Sequence, residues 1–403
     1  MSGKNNNRRA NGEGSITFDA ERERYIGRIT VGRDESGRLI RKKFVGRTRT
    51  EVLRRMDAAR RSLDAGLPIA NDRLTVADFL RSWTDALPGT VSEGTEHIYR
   101  SRVRLYLIPH LGNIRLTKLT PAHVSDLLAS MEAKGLSPET RRHTRAILRR
   151  ALRRAEQEGL LTRNVAAIAD GPKLDRVQGR TLTVEQARAL IETARTPLLS
   201  ETRQPGRRSR AAERLFPAIV LALAVGLRRG ETLGLRWADV ELDATPPVAH
   251  ITQQLVRRPN GLGLGLVELK TRRSRRSVAL PEFVVSALRS HRAAQAVERL
   301  ALGKAWRDTH GLIFTTPIGT PVDPRNFNKI VSDVAKRASL GHWHPHELRH
   351  SAASLLLAMG VRLEVVSEVL GHSSIRITKD VYGHLMPEAK SEAAEAMDRA
   401  FWR

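Results

Sequence analysis

Pro345-His346-Glu347-Leu348-Arg349-His350 reads as the first turns of a helix, because Pro is favoured at the opening position. On that helix His346, Arg349 and His350 stand at i, i+3 and i+4, share one face and can converge on one ligand. The positive end of the helix dipole favours an anion there. Three further segments carry the same residue types. Gly226-Leu227-Arg228-Arg229-Gly230-Glu231 ends and follows the apolar run Leu215 to Leu227. Lys270-Thr271-Arg272-Arg273-Ser274-Arg275-Arg276 has the look of a hairpin turn, and Leu370-Gly371-His372 precedes Tyr382.

Together these residues are what a metal-free attack on a phosphodiester requires. Arg clamps non-bridging oxygens with its planar fork, His holds oxygens and moves protons, and Tyr supplies a nucleophile. Arg stays protonated, so it cannot donate the proton to a leaving group, whereas Lys can. Only 12 of the 69 basic residues are Lys, which marks Lys270 within its Arg-rich run. The chain has 4 Tyr. Tyr25 falls on a predicted strand, and Tyr99 and Tyr106 fall on a helix whose apolar positions predict core packing, which leaves Tyr382 as the candidate nucleophile.

The four segments resemble the signature of the tyrosine recombinases, the phage integrase family, in residue type, order and spacing. The resemblance covers roughly residues 72 to 403, and the first 65 residues resemble, more weakly, the arm-site binding module that many integrases carry. It implies catalytic roles for Arg228, Lys270, His346, Arg349, His372 and Tyr382, with Glu231 orienting Arg228 and His350 supporting the site. The implied activity is cutting and rejoining of DNA through a 3′-phosphotyrosyl intermediate, with no cofactor and no metal. Implied partners are double-stranded DNA attachment sites, three further copies of the chain in a homotetramer on two sites, a directionality factor and a DNA-bending host protein. The family also implies a C-terminal tail helix docking on a neighbouring subunit. Ala393, Ala396, Met397, Ala400 and Phe401 have the spacing for such a helix, and packing on its own domain is an equal reading.

Charge agrees with a polyanionic partner. The 403 residues hold 69 Lys and Arg against 43 Asp and Glu, a net charge of +26. The excess is +8 over residues 1 to 70, +5 over 71 to 170 and +13 over 171 to 403, as suits a protein that wraps its ligand with all its parts. Simple solubility is the alternative reading, but a net charge of about 2 to 8 already suffices for that in a small domain. Cys is absent, which excludes disulfides, thiol catalysis and Cys-ligated zinc. No segment has the length for a transmembrane helix, and the Asn-, Arg- and Gly-rich start is unlike a secretory signal, so a cytoplasmic, nucleoid-associated protein of a bacterial host is expected.

The predicted fold is multidomain and mainly helical with small β-sheets. Residues 1 to 66 form a DNA-binding module of three strands, Ser15 to Phe18, Tyr25 to Val31 and Leu39 to Val45, and a helix from Arg49 to Ala65. Its strand alternation puts Arg28 on the face opposite Tyr25, Gly27, Ile29 and Val31, and Arg28, Arg41 and Lys43 are candidate DNA contacts. A solvated face reads equally from those residues. Residues 72 to 170 form a four-helix DNA-binding domain whose last helix, Ser137 to Gly159, carries seven Arg. Arg141, Arg145, Arg149 and Arg153 among them are candidate phosphate contacts, and Ile147, Leu148, Ala151, Leu152 and Ala155 are left for the core. Residues 180 to 403 form a mixed α/β catalytic domain with strands at Ala249 to Val256, Gly265 to Leu269 and Ser277 to Leu280, a basic exposed loop at Pro197 to Arg210, and an almost wholly helical last hundred residues.

His346-Glu347-Leu348-Arg349-His350 is also a literal His-Glu-x-x-His zinc-peptidase pattern. Ala353 and Leu356 stand where its extended form needs Gly and His, and Arg349 would put a cation beside the metal. A type IB topoisomerase resembles the same active site but is opposed by the amino-terminal site-binding modules. A non-catalytic DNA-binding regulator is opposed by the complete catalytic set. A chromosome-dimer resolution recombinase is opposed by the extra 70 or so amino-terminal residues, which favour an integrase of a phage or other mobile element.

Overall fold

The computed structural model of the chain describes residues 15–33, 36–64, 73–173, 179–196, 213–259, 261–269, 271, 273–371 and 374–375. The chain separates into two compact units, Met1–Asp175 and Arg176–Arg403.

In the first unit, β1 (Ser15–Asp19), β2 (Arg24–Arg33) and β3 (Leu39–Gly46) form an antiparallel sheet in that order. The helix Arg49–Asp64 starts where Thr48 Oγ1 accepts from the Glu51 amide at 3.2 Å, as the Thr-x-x-Glu pattern predicts. It packs Val52, Met56 and Ala59 onto Ile29, Tyr25 and Val31. Gly27 permits this contact, because a Cβ there would lie 2.3 Å from Met56 Sδ and 2.6 Å from Val52 Cγ1.

The same unit holds a helical bundle with a core of its own, built on Leu80, Leu107, Leu127, Met131, Ile147, Leu148 and Leu152. Its main helices are Val76–Asp85, Glu93–Arg102, Pro121–Ala133 and Pro138–Gln157. Thr75, Thr120 and Ser137 cap the first, third and fourth through side-chain oxygens. The second does not run evenly to Ile108: Val103–Leu107 is a π-helical segment and Ile108–Leu111 a further short turn. Val103, Leu107 and Leu111 follow one another at intervals of four and all reach the core. Short helices at Leu116–Lys118 and Val165–Ile168 were not expected from the sequence.

The second unit is organised around the helix Phe216–Ala224, whose residues Pro217 to Leu223 are buried on every side. Each fully buried Leu, Ile or Val there contributes about 1.5–3 kcal/mol. The helices Val184–Arg195, Glu282–Leu302, Pro324–Arg337 and Pro345–Ala358 share its core. The strand expected over Ala249 to Val256 is two strands. β5 (Val248–Ile251) pairs with β4 (Val240–Glu241) and β8 (Arg276–Ala279), whereas β6 (Gln253–Arg257) pairs with β7 (Leu264–Glu268). The chain changes sheets at Thr252, where β6 leaves to lie on the helix Arg229–Gly234. A Cβ on Gly234 would come within 2.6 Å of the Leu255 nitrogen, so only glycine admits the approach. The last hundred residues are less helical than expected: from Trp306 to Asp323 the chain is irregular, broken by Pro317, Gly319 and Pro321. Leu312, Ile313 and Phe314 in that stretch are nevertheless fully buried. The Pro197 to Arg210 loop and the tail helix lie outside the described residues.

Candidate active site

The buried helix Phe216–Ala224 delivers the first site residue. After it the chain turns at Gly226, whose φ of +68° is a left-handed conformation that glycine alone adopts without strain. A Cβ there would also lie 2.4 Å from Leu370 Cδ2. Arg228 then caps the helix Arg229–Gly234, and Glu231 reaches back to it. Glu231 Oε2 accepts from the Arg228 amide at 3.0 Å, and Oε1 accepts from Arg228 Nη1 at 2.7 Å. Glu231 is fully buried. Burial alone would raise its carboxyl pKa, but the cations of Arg276 and Arg228 and their hydrogen bonds outweigh it and hold the pKa below its ordinary value.

The helix Pro345–Ala358 brings His346, Arg349 and His350 to the same place. Arg349 is buried, with Nη1 donating to the Gly226 carbonyl and Nη2 to the Leu370 carbonyl, both at 2.7 Å. Arg228 Nη2 donates to the Gly371 carbonyl at 2.9 Å, and Arg276 Nε to the Val369 carbonyl at 2.6 Å. Three consecutive carbonyls at the end of the helix Leu363–Leu370 are thus each taken by a different guanidinium. Such groups have no partner within their own helix, and cations there also oppose its dipole. The His346 and His350 rings meet edge-on, 4.7 Å between centroids. His346 keeps an exposed edge, yet the atoms crowding its ring, then Arg349 and Arg228, lower its pKa. Burial, then His346 and Arg349, lower that of His350. In both rings the shift favours the neutral form, which can accept a proton.

Arg228, Glu231, His346, Arg349 and His350 accordingly form one cluster. Lys270, His372 and Tyr382 lie outside the described residues. Leu269, just before Lys270, is tied to the Thr252 carbonyl at 3.0 Å, and a turn from Thr271 to Ser274 follows. Two site neighbours were missed in the sequence. Arg276 bonds to the far side of Glu231 at 3.0 Å, and its signal is a charge at an inward strand position, two residues before buried Val278. Arg180 donates to Glu347 Oε1 at 3.0 Å and stacks on Trp343, 4.9 Å from the ring centre. Glu347 Oε2 accepts from the His344 amide at 2.8 Å. The carboxylate that a zinc peptidase would use as its base is thus committed to Arg180 and to the helix start.

In the first unit Arg28, Arg41 and Lys43 are exposed, with Arg28 directly across the ladder from Lys43. Arg149 and Arg153 are exposed on the helix Pro138–Gln157, whose expected inward residues Ile147, Leu148, Ala151, Leu152 and Ala155 are all buried. Two assignments on that helix are corrected. Arg141 is buried and paired with Glu132 at 2.8 Å, because it sits three residues before Thr144 on the inward stripe. Arg145 is half-buried and donates to the carbonyls of Ala167 and Ala169, fastening the short helix Val165–Ile168.

The sequence matches the model of the phage integrase family over residues 180–389 and that of the phage integrase central domain over 76–172. An integrase of Streptomyces ambofaciens is 32% identical over 98% of this chain and 98% of its own length. A tyrosine recombinase XerC-like protein of Caldanaerobacter subterraneus subsp. tengcongensis is 28% identical over 94% of this chain and 97% of its own. Among solved structures, the Tn1549 transposon integrase in complex with a circular intermediate DNA superposes with a TM-score of 0.64 at 20% identity, covering 81% of this chain and 99% of that one. A lambda integrase tetramer bound to a Holliday junction superposes at 0.53 and 17% identity, covering 95% and 99%. Among the described residues no helix is long and apolar enough to cross a membrane. A match that spans the paired-arginine cluster, and a relative alike from end to end, leave one conclusion: the chain belongs to the phage integrase family and is a site-specific tyrosine recombinase.

Proposed function

We propose that the chain integrates or excises a phage or other mobile element, with Tyr382 as the nucleophile. The observation that carries the reading is the convergence of Arg228 and Arg349 on adjacent carbonyls beside His346. Two fixed guanidinium groups suit the two non-bridging oxygens of a scissile phosphate and stabilise the charge that grows on them in the transition state. Tyr382 Oη attacks phosphorus, His346 assists by accepting the phenol proton with His372 close in sequence to the nucleophile, and Lys270 protonates the leaving 5′-oxygen. The 5′-hydroxyl of the partner strand later attacks the 3′-phosphotyrosyl bond and releases Tyr382. Residues 180–403 are read as the catalytic domain, 72–170 as the core-site domain and 1–66 as the arm-site module. The partners are double-stranded attachment sites, a homotetramer on two of them, a directionality factor and a DNA-bending host protein, all at the nucleoid. The lambda integrase tetramer on a junction supports that assembly.

The test is a covalent-adduct assay on DNA flanking the gene, nicked beside candidate sites, with EDTA present. The wild type should give a slow-migrating protein–DNA adduct, and Tyr382→Phe should give none while still binding the site. An adduct persisting in Tyr382→Phe would remove that residue from the mechanism. On the binding side, exposed Arg149 and Arg153 are read as phosphate contacts. The double variant Arg149→Gln/Arg153→Gln should make the log–log salt dependence of affinity shallower by about 0.9 per lost contact, so by about 1.8 in all. An unchanged slope in a salt titration would take both residues off the DNA.

A further inference from the structure

Arg276 begins β8, where the pleat turns it and Val278 inward and leaves Ser277 and Ala279 outward. Its side chain is only 5% exposed, yet each nitrogen is used. Nη2 donates to Glu231 Oε2 at 3.0 Å, Nε to the Val369 carbonyl at 2.6 Å and Nη1 to the Ser274 carbonyl at 3.1 Å. A charge is expensive to bury, and an apolar residue of similar size would fill the space without that cost. The guanidinium is therefore best understood through what it touches. Glu231, fully buried, divides its oxygens between Arg276 and Arg228. Gly371 is shaped to the same contact: a Cβ there would come within 2.9 Å of Arg276 Nη1 and 3.1 Å of Cδ and Cζ, and its φ of +65° disfavours any other residue.

We propose that Arg276 is a positioning residue for strand cleavage. Through Glu231 it orients the guanidinium of Arg228, and through the Val369 carbonyl it fixes the end of the helix Leu363–Leu370, immediately before His372. The inference rests on the reading that Arg228 meets the scissile phosphate. Arg276 itself touches neither DNA nor nucleophile in this account. It joins the start of β8 to the arginine that follows the buried helix.

The experiment uses full-length protein and the nicked duplex located by adduct formation, made either with an ordinary scissile phosphate or with a methylphosphonate, which lacks one charged non-bridging oxygen. Arg276→Gln and Arg276→Lys are compared with wild type and with Arg228→Ala. Lys keeps a charge toward Glu231 but lacks the planar fork that reaches Val369 and Ser274 together. Both Arg276 variants should cleave the phosphate about 100-fold more slowly, with site affinity unchanged, the size expected when a catalytic group is displaced by about 1 Å. On methylphosphonate less charge needs stabilising, so the deficit should shrink at least about tenfold, as for Arg228→Ala. Thermal melting accompanies each variant, and if Arg276→Gln does not fold, Arg276→Lys decides. Cleavage by Arg276→Lys at the wild-type rate, or an equal deficit on both duplexes, would overturn the proposal while leaving the mechanism standing. A wild type that forms no adduct, or an Arg228→Ala that cleaves normally, would overturn the mechanism and the proposal with it.

Discussion

Arg349→Ala should slow strand cleavage by about 10²–10³-fold, the loss found when one preorganised donor to a developing oxyanion is removed. The residue has two jobs, and the variant removes both. On the proposed mechanism its guanidinium meets the scissile phosphate, and in the structure it holds the carbonyls of Gly226 and Leu370. Stranding a buried carbonyl costs about 1–3 kcal/mol, so the melting temperature should fall as well. Affinity for the site should change little, since this is one contact among many to the phosphate backbone. Arg349→Lys separates the two jobs, because a compact ammonium restores charge but not the fork. Single-turnover cleavage on a nicked duplex checks the prediction, and an Arg349→Ala rate within tenfold of wild type would contradict it.

Glu231→Ala should have the largest effect on stability. It leaves buried Arg276 without its carboxylate and frees Arg228 from its orienting partner. Removing one member of a buried ion pair costs about 3–5 kcal/mol. At about 2–4 °C per kcal/mol for a domain of this size, the melting point of the catalytic unit should drop by roughly 6–20 °C. The pH dependence has a definite sign. The folded pKa of Glu231 lies below its ordinary value of 4.5, so its contribution is complete above that value and is lost as pH falls through the folded pKa. Glu231→Gln should therefore be less stable than wild type at pH 7 and should lose less of its stability on acidification below 4.5. Melting scans at pH 7 and at pH 4 measure this, and equal acid sensitivity of the two proteins would be the contrary result.

Much of this was readable from local rules. Helix starts followed their caps at Thr48, Thr75, Thr120, Ser137 and Thr183. Strand alternation placed Gly27 and Ile29 against the helix Arg49–Asp64. Helical spacing put His346, Arg349 and His350 together, because i, i+3 and i+4 is a property of the chain itself. What escaped depends on partners distant in sequence. Arg141 reads as one more basic residue until Glu132, on the preceding helix, is seen beside it. The break at Thr252 is set by the glycine-lined helix that β6 must lie on, which no periodicity within residues 249 to 256 encodes. Arg276 could have been suspected from its inward register, but its three partners come from residues 231, 274 and 369.

The change of sheets at Thr252 also acts as leverage. One arm, the hairpin of β6 and β7, ends beside Leu269, and the other, β8 paired to β5, begins at Arg276. In the sequence, residues 270 to 275 join one arm to the other. Because the Thr252 carbonyl accepts from the Leu269 amide and Ile251 pairs with Arg276, the described residues on both sides of position 270 trace back to this one change of sheets, and a substitution that disturbed it should be felt at both.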